Sequence, residues 1–341
     1  MSKDQTTMLK GIAILLMLFL HLFSNPDFAT AATPLLWVGD IPFATVFSRA
    51  CNPVGFFLLC SGYGLAHSHL HGRLSYGGQW RRVLKLYLNY WLILILFVGV
   101  GSVVMPEYYP GDLSMILNNM SGLNVDGYNH PAWFLLPYCL LCLTSPLVFR
   151  TIDRVGLKLA LPVSLLLSLV SMFVISRYIA PAKLHHEWYV LILTYFDLLF
   201  FFILGAAVCY VSSVRSLSIG WLKDRQWLVG LLFVLWFAIH CLTDSAALSP
   251  VFLFFFILLF LQTDIRGWWR RVLLELGRKS MVMWLIHAFI YGRFFHNFIY
   301  GFTYPLLIFL ALVVSSYLLS IPIMLLSDKT IGRLGWLNKK S

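Results

Sequence analysis

Five ionisable side chains lie inside or at the end of long apolar runs: His21, Asp197, His240, Glu275 and His287. Such groups are expensive to place in a lipid bilayer and are functional there by default. If a helix starts at Met8, His21 lies roughly 20 Å along it, beyond the bilayer midplane. A neutral imidazole can accept a proton. The position therefore favours proton transfer, with a packed structural histidine as the alternative.

The other four residues have plainer interpretations. Asp197 lies in the middle of an apolar run and needs a partner, which favours a buried ion pair or hydrogen bond. His240 lies near a helix end and is interpreted as structural. Glu275 is close to several arginines in the sequence, which favours a salt bridge. For His287, structural and functional roles both stay open.

Segment 106–130 combines carboxylates, amides and aromatic rings, including Asp112, Asp126 and His130. Acids and amides suit sugar hydroxyls, and rings suit the apolar faces of sugars. These three residues are therefore candidates for binding an acceptor substrate. Aromatic residues also collect at membrane interfaces without any ligand, so this second interpretation stays open.

The composition identifies the kind of element that must position these residues. Of 341 residues, 60% are hydrophobic and 11% are charged, whereas a soluble domain has about 45–50% and 25%. This excludes a soluble enzyme, a disordered protein and a nucleic-acid binder that works in water. It predicts an all-α polytopic membrane protein, folded as one domain over 1–341 with no separate soluble domain.

Continuous apolar runs predict ten membrane-spanning helices. They are 8–24, 44–66, 86–105, 131–149, 157–177, 188–211, 226–242, 248–263, 272–296 and 302–327.

The distribution of basic residues predicts the orientation. With a cytoplasmic N-terminus, 21 of the 25 Lys and Arg residues fall on the cytoplasmic side, and only Arg49, Arg177, Lys183 and Arg293 fall outside. This satisfies the positive-inside rule and places both termini in the cytoplasm. Most of the net charge of +11 is then explained by the orientation of the chain in the membrane. A cleaved signal peptide ending near 29–31 is the less favoured alternative.

Six cysteines lie in or beside apolar runs. Cys139 and Cys142 form a C-x-x-C pattern, but within a lipid-length segment. A redox or zinc role needs access and further ligands, so these residues are interpreted as packed apolar side chains. No metal site is predicted.

Four segments carry a family resemblance, in this order: 9–13 followed by His21, then 56–63, 80–85 and 276–287. Together they resemble the membrane-bound acyltransferase family 3, over nearly the whole chain. Segment 132–135 also resembles the start of the family's fourth span.

Two of these segments are similar to the family's basic motifs. The family has an arginine, ten residues and then a histidine. Lys10 stands in the arginine's place before His21. The family also has two basic residues spaced three apart. Arg82 and Lys85 resemble this pair, with lysine replacing the second arginine.

The remaining segments resemble apolar motifs of the family. Phe57, Ser61 and Gly62 are similar to its Phe-x-x-x-Ser-Gly stretch. The late segment resembles Gly-x-x-Ser followed by Tyr-Leu-x-His, with Trp284 where tyrosine is usual and His287 at the end.

The resemblance implies an enzyme of about ten spans in the membrane, most simply the bacterial cytoplasmic membrane. It implies transfer of an acyl group, commonly acetyl, from cytoplasmic acyl-CoA to a hydroxyl of a carbohydrate or lipid-linked glycan. Membrane lipids would surround it, and no nucleic acid would bind.

The resemblance also implies roles for individual residues. His21 would be the general base, and an acyl-histidine intermediate stays open as an alternative. The residues implied to bind acyl-CoA are Lys10, Arg81, Arg82 and Lys85. The residues implied to support the site are Phe57, Ser61, Gly62, Trp133 and His287.

A transporter or exporter of a small anion or sugar conjugate is the competing function. It also predicts ten spans with intramembrane histidine and aspartate. Transporters often have corresponding broken segments in two halves, and the sequence has no such pairing.

Overall fold

Helices form nearly all of the protein's regular structure. The computed structural model describes residues 1–185, 187–243 and 245–333. Within them the only sheet is a two-stranded antiparallel ribbon that pairs Trp37–Val38 with Ile41–Pro42. The helices are α1 (Lys3–Phe23), α2 (Phe43–Ser48), α3 (Pro53–Leu70), α4 (Tyr76–Val104), α5 (Leu113–Ser121), α6 (Leu135–Val155), α7 (Leu157–Val174), α8 (Ala180–Ala182), α9 (Trp188–Val214), α10 (Gly220–Lys223), α11 (Gln226–Leu242), α12 (Ser249–Phe260), α13 (Gly267–Phe289), α14 (His296–Tyr300) and α15 (Pro305–Gly332).

The predicted all-α membrane fold is confirmed in its main features. Seven stretches of the described residues are helical, long enough and apolar enough to cross a bilayer. They are Lys3–Phe23, Phe43–Leu70, Tyr76–Val104, His130–Val155, Leu157–Ala182, Trp188–Val214 and Pro305–Gly332. The other three predicted spans coincide with α11, α12 and α13. The first two of these are short apolar helices. The total of ten crossings and the orientation of the termini stay predictions.

Local sequence explains where several helices begin and end. Ser2 caps α1 through a capping box with Gln5, because each side chain satisfies a backbone N–H of the other residue. The predicted span 44–66 corresponds to the apolar stretch Phe43–Leu70, but the helix is interrupted there, since α2 and α3 are separated at 49–52. Asn52 restarts the helix, since its side-chain oxygen accepts a hydrogen bond from the Gly55 N–H at 3.0 Å.

The chain divides into two compact units. The first contains Met1–His67, Phe200–Ser280 and Asn297–Val314. Here α1 lies antiparallel to α2 and α3, because the Cys60 sulfur reaches the Thr6 carbonyl while the Phe19 and Phe47 rings pack 4.7 Å apart. His240, interpreted as structural, is buried and stacks on Phe252 at 3.9 Å.

Two glycine contacts hold helices of the first unit close together. A Cβ on Gly62 would lie 1.9 Å from the Phe202 carbonyl oxygen, and one on Gly205 would lie 2.1 Å from the Leu59 carbonyl oxygen. Because the contacts are reciprocal, the two glycines lie across from one another where α3 meets α9. Small residues permit this close backbone approach between membrane helices.

The same arrangement joins α1 to α13. A Cβ on Gly11 would lie 2.2 Å from the Leu273 carbonyl oxygen, and one on Gly277 would lie 1.9 Å from the Thr7 carbonyl oxygen. Three glycines of the family-like segments, Gly11, Gly62 and Gly277, are therefore explained by helix packing.

The second unit contains Ser68–Leu199, Met281–His296 and Ser315–Ser341. Polar bonds join its helices. Ser168 of α7 donates to the Asp197 carboxylate of α9 at 2.8 Å, which confirms the hydrogen bond expected for Asp197. Ser327 of α15 donates to the Asn89 side-chain oxygen of α4 at 2.5 Å.

The C-terminal end of helix α5 packs against the middle of α4. Trp91 donates to the Met120 carbonyl at 2.8 Å, and Tyr87 donates to the Ser121 carbonyl at 2.7 Å. Trp91 lies roughly 20 Å from the C-terminal end of α4. Segment 106–130 therefore folds back along α4, so that its centre reaches the middle of this helix; it is called the re-entrant segment below. Gly122, at φ 79°, ends α5 there in the left-handed conformation.

Candidate functional site

Helix α1 carries Lys10 and His21 on one face, since eleven residues correspond to three turns. Two residues between them on that face, Ile14 and Met17, are 0% and 2% exposed. Lys10 and His21 are only partly buried. A cation and an imidazole thus lie at the two ends of a buried stripe, roughly 16 Å apart along the helix.

Helix α3 places the Phe-x-x-x-Ser-Gly residues beside the lysine end of this stripe. Lys10 is close enough to the Cys60 thiol to interact with it electrostatically. Phe57 and Ser61 are partly exposed, whereas Gly62 is buried in the contact with α9. Ser61 thus flanks an accessible region, and Gly62 fixes the helix that carries it.

The Arg82 side chain of α4 is exposed. It donates hydrogen bonds to the Tyr138 hydroxyl and the Cys142 sulfur of α6. Cys142 is buried, as expected for a packed cysteine, but it also has this polar partner. Lys85 is half-buried.

Arg81 lies on a different face of α4, since successive helix residues are rotated by about 100°. It lines a cavity of about 680 Å³ together with Trp80, Leu84 and Tyr87. The predicted basic residues of this segment therefore divide between two faces of one helix.

His287 is fully buried in α13. Its Nδ1–H donates to the Trp284 carbonyl at 2.6 Å. Trp284 donates to the Pro131 carbonyl at 2.9 Å, and Asn129 donates to the Leu285 carbonyl at 2.8 Å. These bonds join the end of the re-entrant segment to α13.

The candidates on the acceptor side have separate surroundings. Asp112 caps α5 by accepting a hydrogen bond from the Met115 N–H at 2.7 Å. Asp126 pairs with His130 at 2.5 Å, and both side chains are about half exposed or more. Trp133 is 37% exposed and packs near Phe134.

The predicted site residues thus fall into two groups, one in each unit. The first unit has Lys10, His21, Phe57, Ser61 and Gly62. The second has Arg81, Arg82, Lys85, Asp112, Asp126, His130, Trp133 and His287.

Three residues that hold these groups in place were not among the predicted site residues: Tyr138, Cys142 and Asn129. Tyr138 and Cys142 bind Arg82, and Asn129 is 1% exposed. A buried amide at the end of a polar loop was the available signal for Asn129. No sequence signal paired the α6 residues with Arg82.

The profile of the acyltransferase domain family matches residues 7–325. No curated protein and no solved structure that was compared matches the chain. The matched region contains nearly the whole polypeptide, including both groups of site residues. The chain therefore belongs to the membrane-bound acyltransferase family 3.

Proposed function

We propose that this acyltransferase is an O-acetyltransferase of the bacterial cytoplasmic membrane. It moves an acetyl group from acetyl-CoA to a hydroxyl of a carbohydrate or glycoconjugate, with His21 as general base. The observation that carries the proposal is the partly exposed His21 at one end of a buried helix face that has the partly exposed Lys10 at its other end.

Acetyl-CoA, when bound, supplies an activated thioester carbonyl. The protein must then deprotonate the acceptor as its oxygen forms the new C–O bond. In this proposal a nitrogen of His21 takes the hydroxyl proton. The carbon–sulfur bond breaks, and the CoA thiolate leaves and is protonated. A base at this position contributes on the order of 10²–10⁴ in rate.

The cations proposed to hold the phosphates of the donor are Lys10, Arg82 and Lys85. Arg82 fits this role because its side chain is exposed and already has two side-chain partners on α6. Guanidinium groups bind phosphate through paired N–H donors, and lysine adds a compact charge. The charges lie on the side that the positive-inside rule predicts to be cytoplasmic.

The re-entrant segment is proposed to bind the acceptor. Its carboxylates Asp112 and Asp126, together with His130, offer hydrogen bonds to sugar hydroxyls, and Trp133 offers an exposed ring. Trp284 of α13 donates to the Pro131 carbonyl, and Asn129 donates to the Leu285 carbonyl of α13. These two hydrogen bonds hold the end of the segment against α13.

The test is incubation of the purified protein with radiolabelled acetyl-CoA and a membrane glycan fraction. The proposal predicts label in the glycan that mild alkali releases, as expected for an oxygen ester, with one CoA thiol formed per acetyl group. Unchanged thioester, together with movement of a sugar conjugate across vesicles containing the protein, would instead establish the transporter alternative.

A further inference from the structure

A groove runs along one face of α4 and ends at α5. Its volume is about 680 Å³, and its walls include Gly77, Trp80, Leu84, Tyr87 and Trp91. We propose that this groove binds an anionic phospholipid, with one acyl chain along α4 and the headgroup at Arg81. Arg81 is also among the residues implied to bind acyl-CoA, so the groove adjoins the predicted donor site, but the lipid proposal does not depend on the proposed function.

The shape of the groove fits a chain from one leaflet. Met120 and Ser121 of α5 close the deep end, beside Trp91. From Arg81 to Trp91 the helix rises roughly 15 Å. This equals about half of the hydrocarbon core of a bilayer, which is about 30 Å thick. An acyl chain that enters beside Arg81 would therefore end under α5.

The deep end is apolar in its chemistry as well as in its shape. The Tyr87 hydroxyl and the Trp91 N–H already donate to the Ser121 and Met120 carbonyls. These polar groups are thus satisfied within the protein, and a chain that covers them leaves no hydrogen bond unmade. Hydrocarbon is therefore a better occupant than a sugar or a nucleotide.

The mouth of the groove carries positive charge and an interfacial aromatic residue. Arg81 lies at the mouth, and Trp80 is 62% exposed there. Arg150 lies over the Tyr76 ring, 5.8 Å from its centroid, next to the start of the groove. Basic residues near the membrane surface attract anionic lipids by about 1 kcal/mol each. The two arginines thus favour an anionic headgroup over a zwitterionic one.

Two glycines of α4 provide a matched pair of variants. A Cβ on Gly77 or on Gly99 meets no atom within 4 Å, but only Gly77 lines the groove. Gly77→Phe fills the mouth, whereas Gly99→Phe adds the same ring elsewhere on the same helix. Native mass spectrometry of each detergent-purified protein with added phosphatidylglycerol measures the bound lipid. We expect Gly77→Phe to lose most of the tightest bound lipid and Gly99→Phe to retain it.

A second pair tests the headgroup, in the absence of acyl-CoA. Arg81→Gln should weaken phosphatidylglycerol binding roughly five- to tenfold. It should change phosphatidylcholine binding less, and the exposed control Arg271→Gln should change neither. Excess glycerol phosphate, which has the charge without the chains, should not displace the lipid. Equal lipid retention by Gly77→Phe and Gly99→Phe would overturn the proposal, and so would displacement by glycerol phosphate.

Discussion

The contact between α3 and α9 makes Gly62→Ala a severe change for so small a side chain. The added Cβ would lie 1.9 Å from the Phe202 carbonyl oxygen and 2.8 Å from its carbonyl carbon. Real Cβ atoms essentially never approach another heavy atom closer than 3.0 Å. The two helices must therefore separate by at least about 1.1 Å, because both atoms belong to the backbone and no rotamer can relieve the contact.

Overpacking of this kind costs about 1–3 kcal/mol. Separation also weakens the reciprocal contact of Gly205 with the Leu59 carbonyl. We expect the melting midpoint of the detergent-solubilised protein to fall by roughly 2 °C or more, measured by intrinsic fluorescence or by loss of the monodisperse peak after heating.

Gly230→Ala is the matched control in the same unit. Gly230 lies within α11, and a Cβ there meets no atom within 4 Å. Alanine at that position should leave the midpoint unchanged or raise it, since alanine is the better helix former. Equal midpoints for Gly62→Ala and Gly230→Ala would refute the reasoning about helix contact.

Three further changes test other parts of the structure. Arg82→Gln removes the guanidinium that is proposed to bind phosphate, and we expect the KM for acetyl-CoA to rise about tenfold or more in a labelled-transfer assay. An unchanged KM would contradict a phosphate contact. Asp197→Asn keeps an oxygen that accepts from the Ser168 hydroxyl and should preserve stability. Asp197→Leu removes this acceptor and should lower the free energy of unfolding by about 1–3 kcal/mol. Equal melting midpoints of the two variants would refute this. Trp284→Phe removes the donor to the Pro131 carbonyl, so amide exchange in the re-entrant segment should accelerate; unchanged exchange would show that this bond does not hold the segment.

The positions of the long helices could be predicted from the sequence, because a run of about 20 apolar residues has few alternatives in a bilayer. The break between α2 and α3 could not, since it lies inside one apolar run and depends on a single side-chain cap at Asn52. Most of α13 was predicted as span 272–296, but its beginning at Gly267 was not, because tryptophans and arginines interrupt the apolar pattern there. Glu275 itself pairs with Arg278 and Lys279, as its basic neighbours indicated.

The candidate site was predictable in its residue types and less so in its geometry. The stripe from Lys10 to His21 follows from helical spacing alone. The re-entrant position of α5 does not, because it depends on bonds from Tyr87 and Trp91 to residues about 30 positions later in the chain. The separation of Arg81 from Arg82 needed only the helix period, but the cavity beside Arg81 needed the position of α5 as well.

The most direct measurement of the central claim compares His21→Ala with His185→Ala in reconstituted vesicles supplied with labelled acetyl-CoA and acceptor. His185 lies in an exposed loop outside both groups of site residues, so that variant should transfer acetyl groups like the wild type. For His21→Ala we predict a fall of at least about 10² in the transfer rate, with the melting midpoint unchanged. Transfer by a well-folded His21→Ala protein at the wild-type rate would contradict the assignment of His21 as the base.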